Sequence, residues 1–249
     1  MHSSTQEGNI EAIFFDMNGT LRMRVPDDMW QRKSVKRLLA MLGKPGAPVH
    51  YLDELIRRYK AYTRWADENE TSLPEPEIWT KWITPDLPRE RIEPQAVELM
   101  LVFRNCKGRS ILKPGAADIL IELRRRGYRM GVISNTTSTT DLPRFIEDCG
   151  LENLFEVVIL SSVFGIRKPS PGLFEQATRL MHLDPACCAY LGNKIANDIV
   201  GAHRAGFGMA MLVTPKDAPT AAEGDPIKKP DRIIHELAEI LEVFSPRSQ

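Results

Sequence analysis

Asp16 ends the apolar run Ile13-Phe14-Phe15 and is followed by Asn18, Gly19 and Thr20. A carboxylate delivered to the end of a buried strand can attack phosphorus or carbon and form a covalent aspartyl intermediate. Three more segments carry matching chemistry: Ser134-Asn135-Thr136, Lys168-Pro169, and the run from Gly192 through Asn193 and Lys194 to Asp198. The backbone N–H groups of the loop that begins at Met17, together with Thr20, Ser134 and Asn135, can cradle a phosphoryl group or another anion. Lys168 can neutralise charge between nucleophile and substrate and hold Asp16 ionised. Asp16, Asn18 and Lys168 are thus the candidates for the chemistry. Met17, Thr20, Ser134, Asn135 and Lys168 are the candidates for holding the anion.

The elements that would position these residues are legible in the apolar spacing. From Lys113 onward helices and strands alternate. A helix opens at Pro114-Gly115 with Ile119, Leu120 and Leu123 inward and stops at Gly127, and a strand runs from Arg129 to Ser134. A helix near Leu142 to Cys149, a strand from Phe155 to Leu160, and a helix capped by Ser170-Pro171 follow. The strand Cys187–Leu191, the helix Ala196–Ala205, the strand Met209–Val213, a loop over 215–230, a short strand Arg232–Ile234 and a last helix complete the chain. This alternation predicts an α/β fold with a doubly wound parallel sheet, in which ligands gather at the carboxyl ends of the strands. Asp16, Ser134 and Gly192-Asn193 all fall at such ends.

Residues 22–112 have a different texture. Helical periodicity appears at Val35, Leu38, Leu39 and Leu42, at Tyr51, Leu55, Ile56 and Tyr59, and over Gln95–Phe103 with Val97, Met100 and Leu101 on the apolar side. The segment shows no strand-like alternation and holds all four tryptophans. The division predicted is a core of 1–21 and 113–249 with a helical insertion, 22–112, above the strand ends.

The bulk composition excludes several function classes. Lys+Arg and Asp+Glu both total 33 in 249 residues, so no whole-protein field recruits nucleic acid or an anionic membrane. The one dense basic run, Leu123-Arg124-Arg125-Arg126-Gly127-Tyr128-Arg129, falls at a helix end, where cations favour the dipole. No stretch approaches a membrane span, and MHSSTQEGN lacks the regions of a signal peptide. The cysteines, Cys106, Cys149, Cys187 and Cys188, show no metal spacing and read as small buried residues of a reducing compartment, so a cytoplasmic location is expected by default. No Gly-x-Gly-x-x-Gly follows a predicted strand, which argues against a dinucleotide oxidoreductase.

The strings "FFDMNGTL", "VISNTTS", "GIRKPSPGLF" and "NDIVGAHRAGF", in this order and on these elements, resemble the signature loops of the haloacid dehalogenase-like hydrolase superfamily. The resemblance covers residues 11–21 and 113–244 and puts 22–112 in the place of that family's helical cap. It implies an aspartyl nucleophile at Asp16 and a small phosphorylated metabolite as substrate. It also implies Mg²⁺ held by Asp16, the backbone carbonyl of Asn18, and the positions of Asn193 and Asp198.

Two positions depart from the family pattern. Asn18 stands where family phosphatases usually have the Asp that protonates the leaving group and then activates water, and an amide cannot shuttle that proton. Asn193 stands where the family usually has an acid, and offers only a neutral oxygen to a hard cation. Asp16, Asp198 and Lys168 alone leave one net negative charge, so the expected Mg²⁺ site is weakened, or no metal is needed at all. Three functions are therefore open: a phosphatase of impaired or altered activity, a metal-independent dehalogenase-type hydrolase, and a non-catalytic ligand-binding protein.

Overall fold

The computed structural model describes residues 10–217 and 225–247. The segment MHSSTQEGN and residues 218–224 of the expected 215–230 loop lie outside the described residues. Six strands form one parallel sheet: β1 (Ala12–Phe15), β4 (Arg129–Ser134), β5 (Val157–Leu160), β6 (Cys188–Gly192), β7 (Met209–Val213) and β8 (Arg232–Ile234), in the order β5-β4-β1-β6-β7-β8. β1 is central, pairing with β4 on one side and β6 on the other. The chain winds outward from it in both directions, the doubly wound arrangement expected.

β1 has apolar residues on both faces because both are covered. Ile13 and Phe15 pack with Leu120, Leu142 and Phe244 on one side, while Ala12 and Phe14 pack with Phe174, Tyr190 and Phe207 on the other. The helices on these faces are α6 (Ala116–Arg125), α7 (Asp141–Asp148), α8 (Ser161–Phe164), α9 (Pro171–Leu180), α10 (Val200–Arg204) and α11 (Ile240–Val243). Ser170 sits at the N-cap of α9 as expected but makes no side-chain cap hydrogen bond; Pro171 at the first helical position fixes the start instead. In the basic run, Arg125 and Arg126 pair with Glu122, and Arg126 also donates to the Phe244 carbonyl at 2.7 Å. The run is structural, tying α6 to the C-terminal helix.

The expectation of no strand in 22–112 is corrected at both ends of that segment. β2 (Arg22–Val25) and β3 (Arg109–Leu112) pair antiparallel into a two-stranded sheet. β2 reads Arg-Met-Arg-Val, an alternation only two periods long, and β3 reads Arg-Ser-Ile-Leu with none, so periodicity gives too short a signal to find them. Between them lie α1 (Asp28–Met41), α2 (Val49–Glu68), the short α3 (Glu75–Glu77) running into a π-helical stretch Ile78–Ile83, α4 (Arg89–Ile92) and α5 (Ala96–Asn105). These helices have their own core around Leu38, Leu55, Tyr62, Trp79, Leu99 and Phe103. The expected apolar face of α5 is rotated: Val97 is 40% exposed, and Ala96, Leu99, Met100 and Phe103 are the buried positions. Among the described residues no helix is long and apolar enough to cross a membrane.

Candidate active site

Lys168 is the centre of the site. Its Nζ lies 2.7 Å from Asp16 Oδ1, 2.7 Å from Asp198 Oδ1, 2.7 Å from the Tyr190 hydroxyl and 3.0 Å from the Ile133 carbonyl. The ammonium is 2% exposed. Three N–H groups facing four oxygens fit if Tyr190 accepts one of them and turns its own proton to Ile133, 3.0 Å away. Burial disfavours the Lys168 charge, but Asp16 and Asp198 outweigh it and raise its pKa.

Asp16 is buried where β1 ends. Burial is the largest influence on its carboxyl and raises its pKa; Lys168 opposes this, and Asp198 adds to it. Thr20 Oγ1 donates to Asp16 Oδ2 at a long 3.4 Å, so Oδ2 is the more weakly held oxygen. Thr20 is there because Gly19, at φ +93°, turns the chain back after Asp16.

Asp198 arrives from a π-helical turn, Ile195–Ile199. Its Oδ2 accepts the backbone N–H groups of Asn193 and Lys194 at 3.0 and 2.9 Å, and its Oδ1 faces Lys168 and Tyr190. The approach depends on Gly192: a Cβ there would lie 2.4 Å from the Asp198 side chain.

The remaining sequence candidates divide. Asn135 clamps the Lys168 backbone, Nδ2 to the Lys168 carbonyl at 3.0 Å and Oδ1 from the Lys168 N–H at 2.9 Å. Ser134 Oγ is buried with no partner, an open donor at the end of β4. The Met17 side chain is in the apolar core, so only its backbone can face a ligand. Asn18 Oδ1 is taken by Arg22, and the buried Asn193 Oδ1 has no partner. A cavity of about 50 Å³ joins Asp16, Asn18, Asn135, Lys168, Asn193 and Asp198, with Lys194 and Asn197 at its edge.

Sequence reasoning missed Tyr190, the one phenol in an otherwise apolar strand, and Arg22, whose only signal is its position four residues after Asn18. It also missed Asp141, which Arg22 and Arg104 share at 2.8 and 2.9 Å. No spacing rule brings residues 22, 104 and 141 together.

The four residues assigned to Mg²⁺ do not fit that ion as they are bonded. Asp198 has both oxygens committed to protein donors. The neutral backbone carbonyl of Asn18, the neutral Asn193 Oδ1 and Asp16 Oδ2 are what remains for it, one charged oxygen where a hard divalent cation favours several. Lys168 supplies positive charge at the same point.

The model of the haloacid dehalogenase-like hydrolases matches residues 10–206. This chain belongs to that family. Among its relatives, the glyceraldehyde 3-phosphate phosphatase of Methanothermobacter thermautotrophicus is 33% identical over 150 residues, 58% of this chain and 64% of that protein. The glyceraldehyde 3-phosphate phosphatase of Pyrococcus furiosus is 24% identical over 242 residues, covering 94% and 93% of the two chains. The crystal structure of a 2-haloacid dehalogenase from Pseudomonas syringae shares the fold, with a TM-score of 0.68 at 23% identity over 94% of this chain and 97% of that one. The matched residues run from β1 through α10.

Proposed function

We propose that the chain hydrolyses a small phosphomonoester through an aspartyl-phosphate intermediate, with turnover limited by proton transfer. The carrying observation is the Lys168 ammonium, fixed 2.7 Å from Asp16 Oδ1 while Oδ2 is left facing the cavity loop. The names of the phosphatase relatives support the same substrate class.

In the first step Asp16 Oδ2 attacks phosphorus, the bond from phosphorus to the ester oxygen breaks, and the alcohol leaves with a proton taken from water. Lys168, the Ser134 hydroxyl and the backbone N–H groups after Asp16 receive the phosphoryl charge. Water then attacks the phosphorus, releasing phosphate and restoring Asp16. Asn18 gives no acid to the first step and no base to the second, a loss worth ~10²–10⁴ in rate. Good leaving groups are therefore favoured.

We take the helical segment between β2 and β3 as a cap over the site and its position here as closed. Tyr59 meets Thr137 at 3.1 Å, Glu75 accepts from Thr139 at 2.7 Å, and Asp67 pairs with Arg167 at 2.7 Å. A cavity of about 50 Å³ has room for a few waters, and we take movement of this segment to be what admits a phosphomonoester. We also assign a reducing, cytoplasmic setting, consistent with four free cysteines.

The test is phosphate release from acetyl phosphate and an aryl phosphate, with Asp16→Ala as blank. Release that vanishes in the blank, with one phosphoryl group trapped on the intact protein, supports the reading. Release equal to the blank sinks it.

A further inference from the structure

Four cationic side chains gather where β2 meets the end of α5, two of them on one carboxylate. Arg22 and Arg24 lie on the same face of β2, two residues apart. Arg104, in the last turn of α5, and Lys107, three residues later, approach from the helical segment. Asp141 at the start of α7 is the carboxylate that Arg22 and Arg104 share, accepting Arg22 Nη2 at 2.8 Å and Arg104 Nε at 2.9 Å through one oxygen. Arg24 and Lys107 form no ion pair among the described residues; Lys107 Nζ instead lies over the Tyr59 ring, 3.8 Å from its centroid, and 4.9 Å from that of Phe103.

The cluster is short of negative charge. Arg22 is 2% exposed, yet its Nη1 is buried without a partner. Unpaired donors on a buried cation carry a desolvation cost that an anion would remove. Burial first, and then the like charges of Arg104, Arg24 and Lys60, bring the Lys107 pKa down to about 7.

Two separate links join the cluster to the reacting atoms. Arg22 holds Asn18, which lines the Asp16 cavity. Tyr59, under Lys107, bonds Thr137, three residues beyond Ser134. Two members stand on β2 and two at or just after the end of α5, which the pairing of Val25 with Arg109 between β2 and β3 brings together.

We propose that this cluster is a second anion subsite, and that the substrate is a small phosphomonoester with a carboxylate or second phosphoryl group at its other end. Guanidinium forks match either group bidentately, and Lys107 adds a point charge against an aromatic wall. The inference rests on the phosphohydrolase reading for the position of the first phosphoryl group.

The experiment is calorimetric binding of three non-hydrolysable probes to the wild-type protein: propylphosphonate, 3-phosphonopropionate and propane-1,3-diyldiphosphonate. At least one of the two acidic-ended probes binds tenfold or more tightly than propylphosphonate, and the tighter of them identifies the acidic group. Lys107→Met and Arg24→Gln, which keep the apolar stems, each shrink that ratio threefold or more. Equal affinities, or no binding of any probe, overturn the subsite. Phosphate release from 2-phosphoglycolate and ethyl phosphate separates the two ideas. Binding preference without release from either leaves the subsite and removes the phosphohydrolase; release with equal binding does the reverse.

Discussion

Asn18 Oδ1 accepts two hydrogen bonds from one guanidinium, Arg22 Nε at 3.0 Å and Nη2 at 2.7 Å. The side chain at the family's usual proton-shuttle position is therefore anchored to a buried cation. An acid placed there would be held ionised by Arg22 and would have no proton to give. Asn18→Asp is expected to raise kcat on an alkyl phosphate by less than about tenfold, against the ~10²–10⁴ of a working general acid. A gain of a hundredfold or more would show that Arg22 releases the new carboxylate.

Asp16 is expected to trade stability for chemistry. Its raised pKa means the ionised form is penalised in the fold. Asp16→Asn leaves Lys168 paired with Asp198 and removes the excess negative charge. Unfolding free energy at pH 7 should rise by roughly 0.5–2 kcal/mol while turnover is lost. The sign follows from linkage: wild-type Asp16 bears the penalty in full above its folded pKa and is free of it below its unfolded value. The gain should therefore shrink as the pH falls through that window. Urea titrations at pH 7 and pH 4 check this, and a destabilised Asp16→Asn at pH 7 would refute it.

Lys168→Met leaves two buried carboxylates facing each other without a counterion. Removing one partner of a buried charge network costs about 3–5 kcal/mol. Denaturant unfolding should report a loss of that order, with no phosphate release. A loss under about 1 kcal/mol would mean that Lys168 is not the electrostatic centre of the site.

Asn193 Oδ1 is buried, unpartnered and part of the Asp16 cavity wall. Asn193→Asp adds a charged oxygen where a neutral one is open, so Mg²⁺ should raise the melting temperature of the variant at concentrations tenfold or more below those needed for wild type. Identical Mg²⁺ responses would place the cation elsewhere.

Lys107 gives the anion subsite a pH signature. Its neighbours are the cations Arg104, Arg24 and Lys60, the rings of Tyr59 and Phe103, and Cys106, whose thiol burial pushes up to about 12. With a pKa near 7, Lys107 is mostly neutral at pH 8, and a bound anion favours its protonated form. Binding of 3-phosphonopropionate at pH 8 should take up protons, seen as buffer-dependent heat, and Lys107→Met should remove that share of the uptake. Equal uptake in both proteins would exclude Lys107 from the subsite.

The sequence by itself determined the sheet and the positions of the reactive residues on it. Continuous apolar runs such as Ile13–Phe15 and the glycine stops after helices are local signals, and a parallel sheet places every strand end on one edge. Asp16 and Ser134 were legible for that reason, and Lys168 and Asp198 through the resemblance of their loops to the family's motifs. Tertiary structure decided what each does to the others. Asn135 became a clamp on Lys168, Asp198 a holder of Lys168 and of the loop after β6, and Asn18 a partner of Arg22. The Arg22–Arg104–Asp141 network could not be read in advance, since it joins a short strand, a helix end and a helix start separated by up to 119 positions. Local patterning sets which face a residue takes; the packing of the helical segment against the sheet sets which charges meet.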